Sequence, residues 1–229
     1  MAKQQQAQFE DMVEDGGDVP SPNEVDNPTA AVGFVRKEAE FAAEDLAPNY
    51  LKLAQGLTKE VQDGEARPGQ WLIKGYDPEA EVLVVPLAFY KTRELRSQEE
   101  RQVLCGSADS IVGTGTPGGV CESCPLSKWT DNPDGSRQGP KCRFQYQYAV
   151  FSVTHGDIAF LTFAGKALKA AKSFNSVVSR LGLGNAAILL KSEQSKGKMG
   201  NVTYVPTVSP VPVDAGVLAA AKQRFATGA

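Results

Sequence analysis

Four cysteines carry the clearest chemical pattern in this chain of 229 residues: Cys105, Cys121, Cys124 and Cys142. Fifteen residues separate the first two, two residues lie inside the C-E-S-C turn, and seventeen precede the last. Two residues between thiolates let both sulfurs meet one tetrahedral ion, with turn amides stabilising the charge. The outer pair, Cys105 and Cys142, can close a four-thiolate site from neighbouring strand ends. Zinc suits such a site, which leaves no open position for catalysis and would act structurally. An iron–sulfur cluster, a redox C-x-x-C pair and four unrelated thiols are the alternatives. His155, the only histidine, stands in a His-Gly turn and is the one other candidate for a fourth ligand.

A second pattern sets aromatic rings beside positive charge. Arg143, Phe144, Tyr146, Tyr148 and Phe151 interleave after Lys141, and Phe89, Tyr90, Lys91 and Arg93 do so upstream. Single-stranded nucleic acid is held by rings that stack on bases and by cations that follow phosphates. Candidate contacts are Arg143, Tyr146, Tyr148, Lys166, Lys169, Lys172, Lys196 and Lys198, with Tyr90 and Lys91 behind them. The competing reading is that alternate aromatics in a strand are ordinary core. No phosphate-binding loop, zinc-protease helix or dinucleotide fingerprint is present, and the acids of residues 128–229 are few and scattered. No catalytic residues are expected.

The elements that must position these groups can be read along the chain. Residues 1–28 hold seven acids, one lysine and few large apolar side chains, and are expected to be a disordered acidic segment. Residues 29–67 read as helical, including a second short helix over 49–57. Residues 68–92 read as two strands around a Tyr-Asp-Pro turn, with Pro86 marking a bulge or an edge. Residues 105–142 form a polar, Gly-rich insertion that needs something other than an apolar core. Two strands follow, then an amphipathic helix from Gly165 to Gly182, a hairpin with a basic tip, and a terminal helix over 214–229. Short strands with one helix among them suit a mainly β, α+β domain. The expected architecture is an OB-type curved barrel over 68–213 with a zinc-binding insertion at 105–142.

Charge is uneven. Residues 1–28 balance at −6, whereas residues 128–229 hold five acids and thirteen bases, +8. An acidic front beside a basic body points to a polyanion partner. No stretch approaches the length of a membrane span and no export signal opens the chain, so a cytoplasmic protein without a membrane partner is expected.

The run CGSADSIVGTGTPGGVCESCPLSKWTDNPDGSRQGPKC, with the strand, helix and ILLKSEQSKGKMGNVTYVP hairpin after it, resembles a module of tailed-bacteriophage proteins. The resemblance covers roughly residues 68–210. It implies an OB-fold, single-stranded-DNA-binding-like replication protein with a zinc-ribbon insertion, at work in the host cytoplasm. The acids stand at the front of this chain, whereas phage and bacterial single-strand binders usually carry them at the carboxyl end. The expectation is therefore a non-enzymatic single-stranded-DNA-binding protein holding a structural zinc ion, whose acidic segment competes with DNA or recruits replication or transcription proteins. The alternative is a zinc-ribbon adaptor for RNA polymerase or replication proteins, with Trp129 as its anchor. A nuclease is the third and weakest reading.

Overall fold

Alternation of period two dominates the chain from Tyr50 onward, and the computed structural model turns it into a large mixed sheet. It describes residues 48–97, 102–197 and 200–227. Expectations for residues 1–47, including the acidic segment and the first helix, lie outside the described residues, as does Lys198.

Among the described residues twelve strands form: β1 (Tyr50–Leu53), β2 (Trp71–Leu72), β3 (Val82–Arg96), β4 (Val103–Ser107), β5 (Val112–Gly115) and β6 (Gly119–Val120), then β7 (Thr130–Asp131), β8 (Arg137–Gln138), β9 (Arg143–Ser152), β10 (Asp157–Ala164), β11 (Ala187–Lys196) and β12 (Val202–Val211). Helices are few: a single turn, α1 (Lys59–Gln62), then α2 (Leu168–Leu181) and α3 (Ala215–Ala226). Ten strands share one sheet in the order β2-β1-β10-β9-β3-β4-β5-β6, with β11 branching from β3 and β12 pairing β11. Strands β7 and β8 form a separate ribbon.

The expected helix over 49–57 is corrected. Tyr50–Leu53 is a strand, parallel to β10, with Tyr50 beside Phe160 and Leu51 beside Leu161. Leu51 is buried whereas Tyr50 and Lys52 are exposed, a two-residue alternation that a helix cannot use. Strand β3 runs on past Thr92 through the charged stretch to Arg96. Pro86 does mark a bulge: the register of β3 against β9 shifts between Pro86 and Ala88.

Helix α2 buries Ala171, Phe174 and Val177 against the sheet. The rings of Tyr148, Phe163 and Phe174 meet there, with centroids 4.5 Å apart for Tyr148–Phe174 and 5.6 Å for Phe163–Phe174. Such pairs add about 0.5–1.5 kcal/mol each beyond the area they bury. The helix ends at Gly182, whose N–H bonds the carbonyl of Val178 at φ 86°.

A closed barrel does not form among the described residues. No ladder joins β12 to β10 or β1. The outward-facing backbone of Tyr204 is taken instead by the Gln55 amide, which donates to its carbonyl and accepts from its N–H, each at 2.9 Å. Two and six residues further on stand Pro206 and Pro210, which have no N–H to offer along the same edge. The seam therefore stays open as a cavity.

Candidate nucleic-acid interface

In-register residues of neighbouring strands share a face of the sheet. One row runs Ala88–Ala149–Phe160–Tyr50, the next Tyr90–Gln147–Thr162, the next Thr92–Gln145–Ala164, and the last pairs Glu94 with Arg143 and Gly106. These rows make the outer face. Tyr50 and Tyr90 are each 42% exposed on it, and the Tyr50 and Phe160 rings lie 6.2 Å apart. Lys52, two residues beyond Tyr50, shares that side and is exposed.

One hollow at this face, about 550 Å³, shares Tyr50 and Lys52 and is walled by Glu60, Glu65 and Asp77; three others share lining residues with one another. The first, about 450 Å³, lies in the seam between β1, β10 and β12 and is walled by Tyr50, Lys52, Trp71, Phe160, Lys166 and Tyr204, among others, with no acidic side chain. The Tyr204 ring is seated on Gly69, where φ is +90° and an added Cβ would come within 2.6 Å of it. The second, about 1060 Å³, lies toward the cysteine region and carries Glu94, Arg96, Lys141 and Arg143. Ala164, at the end of β10, lines both. The third, about 480 Å³, runs between α2 and the β11–β12 hairpin past Lys169 and Glu193, and Lys166 links it to the first.

Cations thus gather at one end of the rows of rings and amides, where Lys166 follows Ala164 by two residues and Arg143 precedes its partner Gln145 by two. Lys166 donates to the Thr203 hydroxyl at 3.1 Å. Its Nζ is 3.9 Å from where a Cβ on Gly197 would sit, which brings the hairpin tip and Lys196 alongside. On β3, in the same region, Arg96 pairs with Glu94, which is in register with Arg143, at 2.7 Å. That hydrogen bond holds its guanidinium above the ordinary pKa, against a lowering by burial, with smaller contributions from the Glu94 charge and from Tyr50.

The structure sorts the sequence-derived contacts. Tyr90 and Arg143 share the outer face, Lys166, Lys169 and Lys172 are exposed on and just before α2, and Lys196 is exposed at the hairpin end. Lys91 and Tyr146 pair with each other on the opposite face, where Tyr146 stacks on Phe89 at 5.7 Å. Tyr148 is corrected outright. It is 0% exposed, its hydroxyl donates to Asn175 Oδ1, and burial pushes its pKa upward, so no base can reach it. Replacing Tyr148 with Phe is expected to cost about 1 kcal/mol of stability, and replacing it with Ala about 3–5 kcal/mol. Denaturant unfolding measures both, and Tyr148→Phe should leave oligonucleotide affinity within about twofold. Tyr50, Lys52, Phe160 and Tyr204 were not singled out from the sequence. The signal was present in Tyr50/Lys52 alternating with Leu51/Leu53, and in Phe160/Thr162 alternating with Leu161/Phe163.

The cysteines lie at the far end of β3 and β9. Cys105, opposite Leu95, and Cys142 are buried together with Leu95 and Leu126. Cys121 is buried and Cys124 half-buried, and all four are free thiols. The Ser127 hydroxyl donates to the carbonyls of Cys121 and Cys124, at 2.9 and 2.8 Å, and the Cys142 N–H to that of Leu126. Asp109 braces the β4–β5 turn. The Ile111 N–H, then the Ser107 hydroxyl and the Val112 N–H, hold its carboxyl below the usual range. The sulfurs of Cys105 and Cys121 both face Gly113, at 2.8 and 3.8 Å from where a Cβ there would stand. Burial raises the Cys142 pKa, Arg93 lowers it, and the other three cysteines raise it again. As packed, no three are at ligating spacing: among the described residues no group of three or more His, Cys, Asp or Glu side chains is set to hold a metal ion. His155 is remote, stacked on Tyr76 at 4.2 Å, with the length of β9 between it and Cys142.

Among the described residues no helix is long and apolar enough to cross a membrane. Comparison with protein-family models, with curated proteins and with solved structures returned no match.

Proposed function

We propose that this protein binds single-stranded DNA without altering it, along the outer face of the sheet. The observation that carries this reading is one face of the sheet on which the rings of Tyr50, Phe160 and Tyr90 are followed, past the Thr92–Gln145–Ala164 row, by the neighbouring cations Lys166 and Arg143, with Lys141 two residues before Arg143 and Lys196 next to the Gly197 that Lys166 approaches. Rings that stack on bases contribute about 1–3 kcal/mol each, whatever the base, and lysines and arginines follow the phosphates. The connectivity supports an OB-type reading: β3, β9 and β10 form a meander, α2 follows, and the β11–β12 hairpin returns to pair β11 with β3. An OB barrel is itself partly open, which accommodates the seam. A role in phage-type DNA replication in the host cytoplasm follows from the family resemblance, with the acidic segment of residues 1–28 competing with DNA or recruiting partners. The test is a mobility shift with unstructured oligo-dT against duplex of equal length at low salt. Binding to the single strand alone is expected; no shift with either would end this reading.

The cysteine region is proposed to hold one structural zinc ion through Cys105, Cys121, Cys124 and Cys142. Four thiols with little else to pack on are the donor set that zinc takes, and Gly113 leaves the room that two of the sulfurs use. Gly113→Ala, which sets a methyl against the Cys105 sulfur, is expected to weaken zinc retention in a chelator competition about tenfold or more. Gly106→Ala, whose Cβ meets only Val103 Cγ1 at 3.7 Å, is expected to leave it unchanged.

The adaptor reading has one observation in its favour. Trp129 is 60% exposed beside the β7–β8 ribbon, with the Arg137 guanidinium 5.7 Å from its ring. It predicts co-purification with polymerase, abolished in Trp129→Ala, together with no affinity for bare oligonucleotide.

A further inference from the structure

The seam cavity differs in kind from the rest of the face. It is a hollow rather than a surface, and its volume of about 450 Å³ falls in the range that small-ligand pockets occupy. Tyr50, Trp71, Phe160 and Tyr204 supply flat apolar walls. Lys52 and Lys166 are exposed on its lining, and no carboxylate stands among the lining residues to repel an anion. Trp71, 2% exposed, is a fixed part of the wall. Ala164, on its lining, also lines the hollow that holds Arg143.

We infer that this cavity receives one nucleobase of the bound strand, turned in from the outer face, with Lys52 and Lys166 on the phosphates to either side. The inference rests on the single-strand-binding reading and adds to it a unique anchoring position. The apolar walls take the base, the lysines take its backbone, and the remaining bases lie on the open face as interchangeable contacts. Binding therefore becomes unequal from base to base. One base contributes much, and each further base contributes little.

The experiment uses the full-length protein and 12-mer strands of abasic residues carrying no, one or two thymines. One thymine is expected to raise affinity at least about 100-fold over the all-abasic strand, and a second adjacent thymine, stacked on the open face, at most about tenfold further. A 2-aminopurine in place of the single thymine should become shielded from acrylamide on binding. In Leu53→Trp, which fills the cavity wall, the one-thymine and all-abasic strands should bind equally. Equal increments for every base, with 2-aminopurine left open to the quencher in the wild-type protein, would overturn the pocket while leaving strand binding standing. Failure of the wild-type protein to bind oligo-dT of the same length would overturn both. The abasic series needs no variant, so a Leu53→Trp protein that fails to fold leaves the test intact.

Discussion

Cys121→Ser is expected to release the zinc ion and unfold the segment between Cys105 and Cys142, while β9 to β12 and α2 stay folded. The region offers almost no alternative support. Its core among the described residues is Leu95 with two of the cysteines and half-buried Leu126, and β5 to β8 are two to four residues long. Thiolate zinc sites are worth about 10–16 kcal/mol of apparent binding free energy in small folded units. No core of that size replaces it. The main sheet, in contrast, is held by the Tyr148–Phe163–Phe174 cluster at the other side of β9. Limited proteolysis with metal analysis reads the result: cuts confined to residues 105–142 and loss of stoichiometric zinc. A variant that keeps its metal, or one that unfolds throughout, would contradict this division.

The second large effect is on binding. Lys166→Glu and Arg143→Glu reverse neighbouring cations, because the β9–β10 register continued two residues past Ala164 and Gln145 sets position 166 beside position 143, and they are expected to act less than additively. Each should lower affinity for oligo-dT about tenfold at low salt, and the pair less than about 100-fold, because attraction to a phosphate becomes repulsion. The salt dependence should flatten in step, by about 0.7 in log–log slope for each phosphate that the protein no longer neutralises. Lys91→Glu is the internal comparison. Lys91 is equally exposed but lies on the opposite face beside Tyr146, and its reversal should change affinity by less than about threefold. An equal loss from Lys91→Glu would move the strand to the other side of the sheet.

Much of the scaffold could be read from residue order, and the reasons for the failures are specific. The alternation Phe144–Tyr146–Tyr148–Val150 gave β9, and the stripe Ala171–Phe174 gave α2. Alternation gives two faces but does not say which one a neighbouring element covers. Tyr148 looked as available as Tyr90 because the helix that buries it comes twenty residues later. Tyr50–Leu53 looked helical because four residues fit either period, and only pairing with β10 decides between them. The seam was invisible for the same reason: it is made by three strands distant in sequence, and the Gln55 amide that keeps β12 from closing acts on a backbone 149 positions away. The cysteine spacing did locate one compact region, since β3 and β9 bring residues 105 and 142 into a single cluster.

Single-strand binding is tested most directly by a fluorescence titration of the full-length protein with poly-dT at increasing salt. Saturable binding is expected at low salt, little altered when poly-dT is replaced by mixed-sequence strands, with log affinity falling linearly as log salt rises. Absence of saturable binding at the lowest salt, or binding indifferent to salt, would contradict it.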